Sequence, residues 1–220
     1  MKDAVFALKR HSSPGPDGFT GAFFTSFWEI IGSSVIAAIQ NFFSSRKILK
    51  SLNTFFLALI PKSGAPKSFN DYRPISLLNF SFKIITKIMA SRLAPLLPSL
   101  VSPNQAAFIR GRSIHDHIAL AHELVQRLKL KLAGGSLCLK LDISKAFDKL
   151  KWSFLLKTLA KMGFSSEWIE LVQQCVCTSR GSVLINREPC GFFSPECGAK
   201  GTLFPPVSYT HLTLPTICSV

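Results

Sequence analysis

The residues best suited to chemistry gather in one octet, Leu141-Asp142-Ile143-Ser144-Lys145-Ala146-Phe147-Asp148. It continues the run Leu137-Cys138-Leu139-Lys140, whose alternation puts the three leucines 137, 139 and 141 on one face of a strand and Asp142 on the other. A carboxylate at the end of a buried strand is costly unless something cationic or hydrogen-bonding receives it. Asp142 is therefore either the ligand of a cation or the N-cap of a helix entering Lys145-Ala146-Phe147, and spacing alone leaves both open. Asp148 reads as a structural acceptor for a neighbouring backbone group or for Lys151. Lys62 and Arg73 bracket a polar stretch earlier in the chain, with Lys83, Lys87, Arg110 and Arg112 beyond it. A guanidinium fork and an ammonium point charge both suit phosphate oxygens, although isolated basic residues are more often plain surface charges. His115, His117, His122 and the distant pair Cys175 and Cys177 lack the paired spacing of a structural zinc site, and the cysteines read instead as small buried apolar residues.

The elements that must position these groups are built from an apolar, strongly basic chain. Hydrophobic residues make up 47% and charged residues 17%, which excludes a disordered polar tract. Lys and Arg number 26 against 12 Asp and Glu, a formal charge of +14 that favours a polyanionic partner, nucleic acid above all. The 220 residues suffice for one compact domain or two small lobes. No apolar run approaches the roughly 18 to 20 residues of a membrane span, so no membrane partner is expected. Met1-Lys2-Asp3 opens no signal peptide, and the six cysteines are irregularly spaced. Reduced thiols in an intracellular protein, nuclear or cytoplasmic and not secreted, are the expectation.

Turn formers crowd residues 12–20, and Phe24, Phe27, Ile31, Val35, Ala38 and Phe42 then recur at helical spacing. Residues 54–60 form a strand-like run stopped by Pro61, a polar loop occupies 62–71, and residues 72–77 are extended again, so the two runs can pair as a hairpin with a basic tip. A helix is predicted over 81–93, with Lys83, Lys87 and Arg92 on an outward face and Pro95 and Pro98 beyond it. Ser113 with Asp116 suits a capped start for the most regular helix, in which Ile114, Ile118, Ala121, Val125, Leu128 and Leu132 form the stripe and Gly134-Gly135 the end. Helices over 152–162, closed by Gly163, and over 167–177 follow. Residues 182–188 and 191–194 read as hairpin arms around 186–190. Without a βαβ repeat, the fold class is α+β.

Several of these stretches together resemble the reverse transcriptase domain of plant-type LINE (non-LTR) retrotransposons. Ser13-Pro14-Gly15-Pro16-Asp17-Gly18-Phe19 resembles the family's opening motif. Leu59-Ile60-Pro61-Lys62 and Asp71-Tyr72-Arg73-Pro74-Ile75-Ser76-Leu77 resemble its fingers hairpin. Gln105-Ala106-Ala107-Phe108-Ile109 with Gly111-Arg112 resembles the next segment, and the octet around Asp142 the first palm motif. Five motifs stand in the family's order, over about residues 5 to 201. The resemblance implies a fragment of the right-hand polymerase fold, helical fingers with a β-hairpin plus a partial palm sheet. Residues 1–135 would be fingers and 136–201 a partial palm with the first catalytic motif. It implies an RNA-directed DNA polymerase acting on RNA template, DNA primer and dNTP through two Mg²⁺ ions. Asp142 would be the first catalytic metal ligand, and the backbone carbonyl of Ile143 would contribute to the second metal. Lys62 and Arg73 would contact the triphosphate, and Phe147 would be the gate that excludes a ribose 2′-hydroxyl. Lys83, Lys87, Arg110 and Arg112 would touch the template backbone.

The likeness stops after Lys200. The family continues Gly-Asp-Pro-Leu-Ser-Pro where this chain reads Gly201-Thr202-Leu203-Phe204-Pro205-Pro206. Losing one G from GGG-GAC-CCT-CTT-TCC yields Gly-Thr-Leu-Phe, so residues 202–220 are expected to be an out-of-frame or foreign tail. Residues 208–216 themselves resemble translated adaptor sequence. No aspartate follows Asp148, so the family's paired-aspartate motif is missing and the truncated chain is expected to be inactive alone. The alternative reading is a non-catalytic basic RNA-binding relic similar to a maturase-like fingers domain.

The gate assignment can be tested in a chain restored with the family's missing motifs. Phe147→Ala should raise the rNTP-to-dNTP ratio of kcat/KM, because discrimination is a difference in transition-state binding. A Phe147 that only fills the core would instead leave a cavity costing about 3 to 5 kcal/mol, with the melting temperature and both activities falling and the ratio unchanged.

Overall fold

The computed structural model describes residues 1–107, 109–128 and 149–198. The chain opens with α1 (Lys2–Phe6), followed by α2 (Gly21–Ser26) and α3 (Trp28–Ser45). The single helix expected over 24–42 is thus two, broken at Phe27, whose φ of −101° and ψ of 17° leave the helical region. Strands β1 (Thr54–Pro61) and β2 (Tyr72–Leu78) come next, with a short 3₁₀ turn (Phe69–Asp71) between them. Helices α4 (Phe80–Leu93), α5 (Leu97–Leu100) and α6 (Ile114–Arg127) follow. Beyond them lie α7 (Trp152–Lys161), α8 (Ser166–Cys177), β3 (Arg180–Ile185) and β4 (Glu188–Phe193). The architecture is α+β. The expected strand over 137–142 and the tail over 202–220 lie outside the described residues.

Helix α4 is the centre of the core because its sequence is apolar nearly all round. Phe80, Phe82, Ile84, Ile85, Ile88, Met89 and Leu93 are all buried, a distribution that demands neighbours on several sides. The Phe24 ring of α2 stacks on Phe80 at 4.8 Å, and Cys175 of α8 meets Met89 at 3.9 Å between sulfurs. Leu155 and Leu159 of α7 and Leu171, Val172 and Val176 of α8 complete this cluster. Leu93, Leu97, Val101 and Ile109 make a smaller one, closed by Phe164 and Trp168. The outward face expected for α4 holds only for Arg92, whose guanidinium lies 4.4 Å from the Phe43 ring centre, since Lys83 and Lys87 are half-buried.

The strands form one sheet in the order β2-β1-β3-β4. β1 and β2 pair antiparallel from Phe55 opposite Leu78 to Pro61 opposite Tyr72, the hairpin expected from sequence. β3 and β4 form a second antiparallel hairpin, turned by Asn186 and Arg187 with φ of 53° and 70°. Its turn is therefore two residues, shorter than the 186–190 expected. β3 runs parallel to β1, from Thr54 opposite Arg180 to Ala58 opposite Leu184, so the later hairpin widens the earlier one. That pairing was not legible in the sequence, because a crossover of more than a hundred residues separates the partners. Pro74 and Pro189 sit on the two edge strands, where a missing N–H breaks no ladder.

Two buried asparagines fasten the helices to the start of β1. The Asn53 amide donates to the Cys175 carbonyl at 3.0 Å and the Thr178 hydroxyl at 2.9 Å, tying down the end of α8. The Asn79 amide donates to the carbonyls of Ser51 at 2.8 Å and Leu52 at 3.3 Å, while its oxygen accepts from the backbone N–H of Asp17 at 3.1 Å. Other expectations are only partly met. Ser113 precedes α6 without a side-chain cap, and Ile114, Ile118, Leu120, Leu124 and Val125 of that helix are exposed among the described residues. Cys175 is buried as expected, but Cys177 at the end of α8, Cys190 on the edge strand β4 and Cys197 beyond it are exposed.

Removing the Asn79 side chain leaves the Asp17 N–H and the Leu52 carbonyl without this partner in a half-buried site, while the Ser51 carbonyl keeps the Thr54 hydroxyl at 2.9 Å. Asn79→Ala should lower the stability by about 3 kcal/mol, read from denaturant unfolding. Asn79→Leu, matching the volume, should fare no better, whereas a change below 1 kcal/mol would show that water replaces these bonds.

Candidate functional site

The tip of the β1–β2 hairpin carries the first two basic residues singled out from sequence. Ile60 lies opposite Arg73, and the ladder extends one step further where the Lys62 N–H donates to the Asp71 carbonyl at 2.7 Å. Side chains alternate along a strand, so Lys62, two residues after Ile60, projects from the same face as Arg73. Both are exposed. The Lys62 ammonium donates to the Asn70 carbonyl.

The loop between them is held by one carboxylate. Asp71 Oδ2 accepts from the N–H groups of Lys67 at 2.9 Å and Ser68 at 2.8 Å and from the Ser68 hydroxyl at 3.2 Å. These N–H bonds, the Lys67 one foremost, hold its carboxyl below the usual carboxylate range. The Ser68-Phe69-Asn70-Asp71 spacing is that of a capping box, a signal present in the sequence that the reading above passed over.

The turn-rich segment 13–18 docks on the other side of this hairpin, at its root. A Cβ on Gly15 would fall 2.3 Å from the Asn79 nitrogen, so no larger residue fits there without displacing backbone. The Lys83 ammonium donates to the Ser13 carbonyl at 3.1 Å and faces Asp17. Burial pushes the Lys83 ammonium below its ordinary range and the Asp17 carboxyl above its own, each shift opposed by the charge of the other. Lys83 is thus a half-buried tether between α4 and this loop, with one of its three donors engaged by the Ser13 carbonyl.

Arg112 is a second such case. Its guanidinium donates to four carbonyls, those of Ser102 at 2.6 Å, Gln105 at 2.7 Å, Pro98 at 3.0 Å and Val101 at 3.1 Å. The loop after α5 is wrapped around that fork. His117 closes the same loop through Nε2 at 2.8 Å from the Asn104 carbonyl. Arg110 is exposed and Lys87 half-buried on α4. Asp142, Ile143 and Phe147 lie outside the described residues. Among the described residues no three His, Cys, Asp or Glu side chains gather closely enough to hold a metal ion. No described helix is long and apolar enough to cross a membrane.

The described residues thus join a mixed four-stranded sheet to a helical core, with Lys62 and Arg73 exposed near the tip of one hairpin. The chain belongs to the reverse transcriptase (RNA-dependent DNA polymerase) family, whose model matches residues 60–197. More narrowly, it is a reverse transcriptase domain of the non-LTR retrotransposon kind, as its relatives indicate. It is 30% identical, over 84% of its length, to the transposon TX1 uncharacterized 149 kDa protein of Xenopus laevis. It is 32% identical, over 71%, to the retrovirus-related Pol polyprotein from type-1 retrotransposable element R1 of Bradysia coprophila. It is 28% identical, over 74%, to the corresponding polyprotein from type-2 element R2DM of Drosophila melanogaster. The chain spans 14%, 16% and 15% of these relatives.

The four-carbonyl clamp distinguishes a structural arginine from a template contact. Arg112→Ala should lower the melting temperature by several degrees and expose the backbone of residues 98–105 to hydrogen exchange, and Arg112→Lys should not restore either, since one ammonium cannot span the four acceptors. RNA affinity per folded molecule should stay within twofold of the parent. A loss of affinity in a fully folded Arg112→Ala chain would restore the template role.

Proposed function

We propose that the chain is part of an RNA-directed DNA polymerase of a LINE-type element, of the plant type, in which the β1–β2 hairpin receives the triphosphate of an incoming dNTP. The observation that carries this reading is the placement of Lys62 and Arg73 on one face of an exposed hairpin whose loop is already ordered. An ammonium and a guanidinium two rungs apart offer a point charge and a planar fork to adjacent phosphate groups. Residues 1–135 act as fingers and 136–201 as the beginning of the palm, with β3 and β4 reaching back to widen the fingers sheet. Asp142 and the Ile143 carbonyl would contribute to holding two Mg²⁺ ions, which would supply activation of the primer 3′-hydroxyl at one and steadying of the triphosphate and leaving group at the other. Phe147 would lie against the sugar. Arg110 and Lys87 remain as template-backbone contacts, and RNA template with DNA primer are the macromolecular partners. The protein would work inside the cell, in nucleus or cytoplasm.

The 220-residue chain by itself carries no aspartate after Asp148, so it should bind nucleic acid without extending a primer. Affinity for single-stranded RNA should fall linearly with salt on a log–log plot, its slope reflecting the phosphates neutralised. A chain restored with the missing aspartate motif should extend a primer on RNA in an Asp142-dependent way, and Lys62→Ala or Arg73→Ala in it should raise the dNTP KM about tenfold, the loss of one charged contact. Salt-independent binding, or full dNTP efficiency in both variants, would sink the reading.

A further inference from the structure

We propose that Asp71 is a positioning residue for phosphate recognition at the hairpin tip, acting through Lys62; the inference rests on the reading of Lys62 as a phosphate contact. The connection from Lys62 to Asp71 is ten residues long, well beyond the two to five of an ordinary hairpin loop. Left to itself such a loop would let its first residue wander. Asp71 prevents this from both ends of its own structure. Its carbonyl takes the Lys62 N–H at 2.7 Å, and its carboxylate takes Lys67 and Ser68 at 2.9 and 2.8 Å. The turn it closes contains Asn70, whose carbonyl holds the Lys62 ammonium. Backbone and side chain of Lys62 are therefore both fixed by the same four-residue turn. Two residues after Asp71 along β2 stands Arg73.

The charge makes the inference decidable. A carboxylate beside an anion site repels the anion, so deleting Asp71 should tighten phosphate binding if charge alone matters. Three donors already converge on the single oxygen Oδ2, which spends the negative charge on the loop. If that ordering is what Asp71 supplies, its deletion weakens binding, opposite to the bare electrostatic sign.

The test is titration of the full chain with inorganic tripolyphosphate, for the parent, Lys62→Ala, Asp71→Ala, Asp71→Asn and the double variant Lys62→Ala/Asp71→Ala. Asp71→Ala should bind about tenfold more weakly, and Asp71→Asn, which keeps an acceptor oxygen in place without the charge, should retain most of the affinity. The double variant should bind no more weakly than Lys62→Ala alone, since Asp71 acts through that side chain. Tighter or equal binding by Asp71→Ala overturns the proposal, as does an additive loss in the double variant. The near-isosteric Asp71→Asn keeps the test open should Asp71→Ala fail to fold: if it binds tighter than the parent, charge governs and positioning is rejected. Should Lys62→Ala leave tripolyphosphate binding unchanged, the phosphate reading of the hairpin itself fails, an outcome distinct from failure of Asp71 alone.

Discussion

One side-chain amide, that of Asn79, holds three parts of the chain in register. It stands between β2 and α4, faces the backbone that leads into β1, and receives the Asp17 N–H from the turn-rich segment near the start. A buried amide has to satisfy both donor and acceptor, and here the NH2 goes to residues 51–52 and the oxygen to Asp17. The position of the hairpin relative to the helical core follows from that geometry. Gly15 is compelled by the same contact, since any side chain there would occupy the space of Asn79. Lys83, one turn along α4, adds the second tether to the segment through Ser13.

Asn53 repeats the device on the opposite side. It fixes the end of α8 to the residue before β1, and its own carbonyl accepts the Arg180 N–H at 3.0 Å, which starts the parallel pairing of β1 with β3. The two strands then approach closely at Gly181, where a Cβ would meet the Phe55 and Phe193 rings at 2.5 and 2.6 Å. Buried polar groups are costly unless satisfied, and here the NH2 of both asparagines and the side-chain oxygen of Asn79 are engaged. The hairpin that carries Lys62 and Arg73 is consequently rigid at its root while only its tip depends on Asp71.

The basic residues sort by burial and by how many donors the chain itself takes. Arg112 and Lys83 are half-buried and donate to backbone carbonyls of their own chain, and Arg92 lies over the Phe43 ring, so part of the +14 charge builds structure. Lys62, Arg73 and Arg110 stand on exposed surface, Lys62 with one donor on the Asn70 carbonyl and the rest of its ammonium facing solvent. A count of lysines and arginines cannot make that division, because an arginine clamp and a phosphate contact use the same residue type and the same donors. The two are separated by burial and by how many of the donors the chain's own acceptors take.

Periodicity alone determined much of the local structure. The β1–β2 hairpin, the helix after it, the helices near 152–162 and 167–177 and the β3–β4 hairpin all follow from spacing of apolar residues and from turn formers, interactions between near neighbours. The order of the motifs also carried the family. The break at Phe27, the burial of Lys83, the Arg112 clamp and the exposure of three cysteines were decided elsewhere. Lys83 meets Ser13 seventy residues away and Arg112 meets carbonyls seven to fourteen residues back, contacts that apolar periodicity does not encode. The capping box at Ser68–Asp71 was written in the sequence, but its consequence for Lys62 needed the β-ladder to set the two residues opposite each other. Only the tertiary structure joined β1 to β3, because no local pattern encodes parallel pairing across so long a crossover; it starts where the Asn53 carbonyl accepts the Arg180 N–H, on the residue whose amide holds the end of α8.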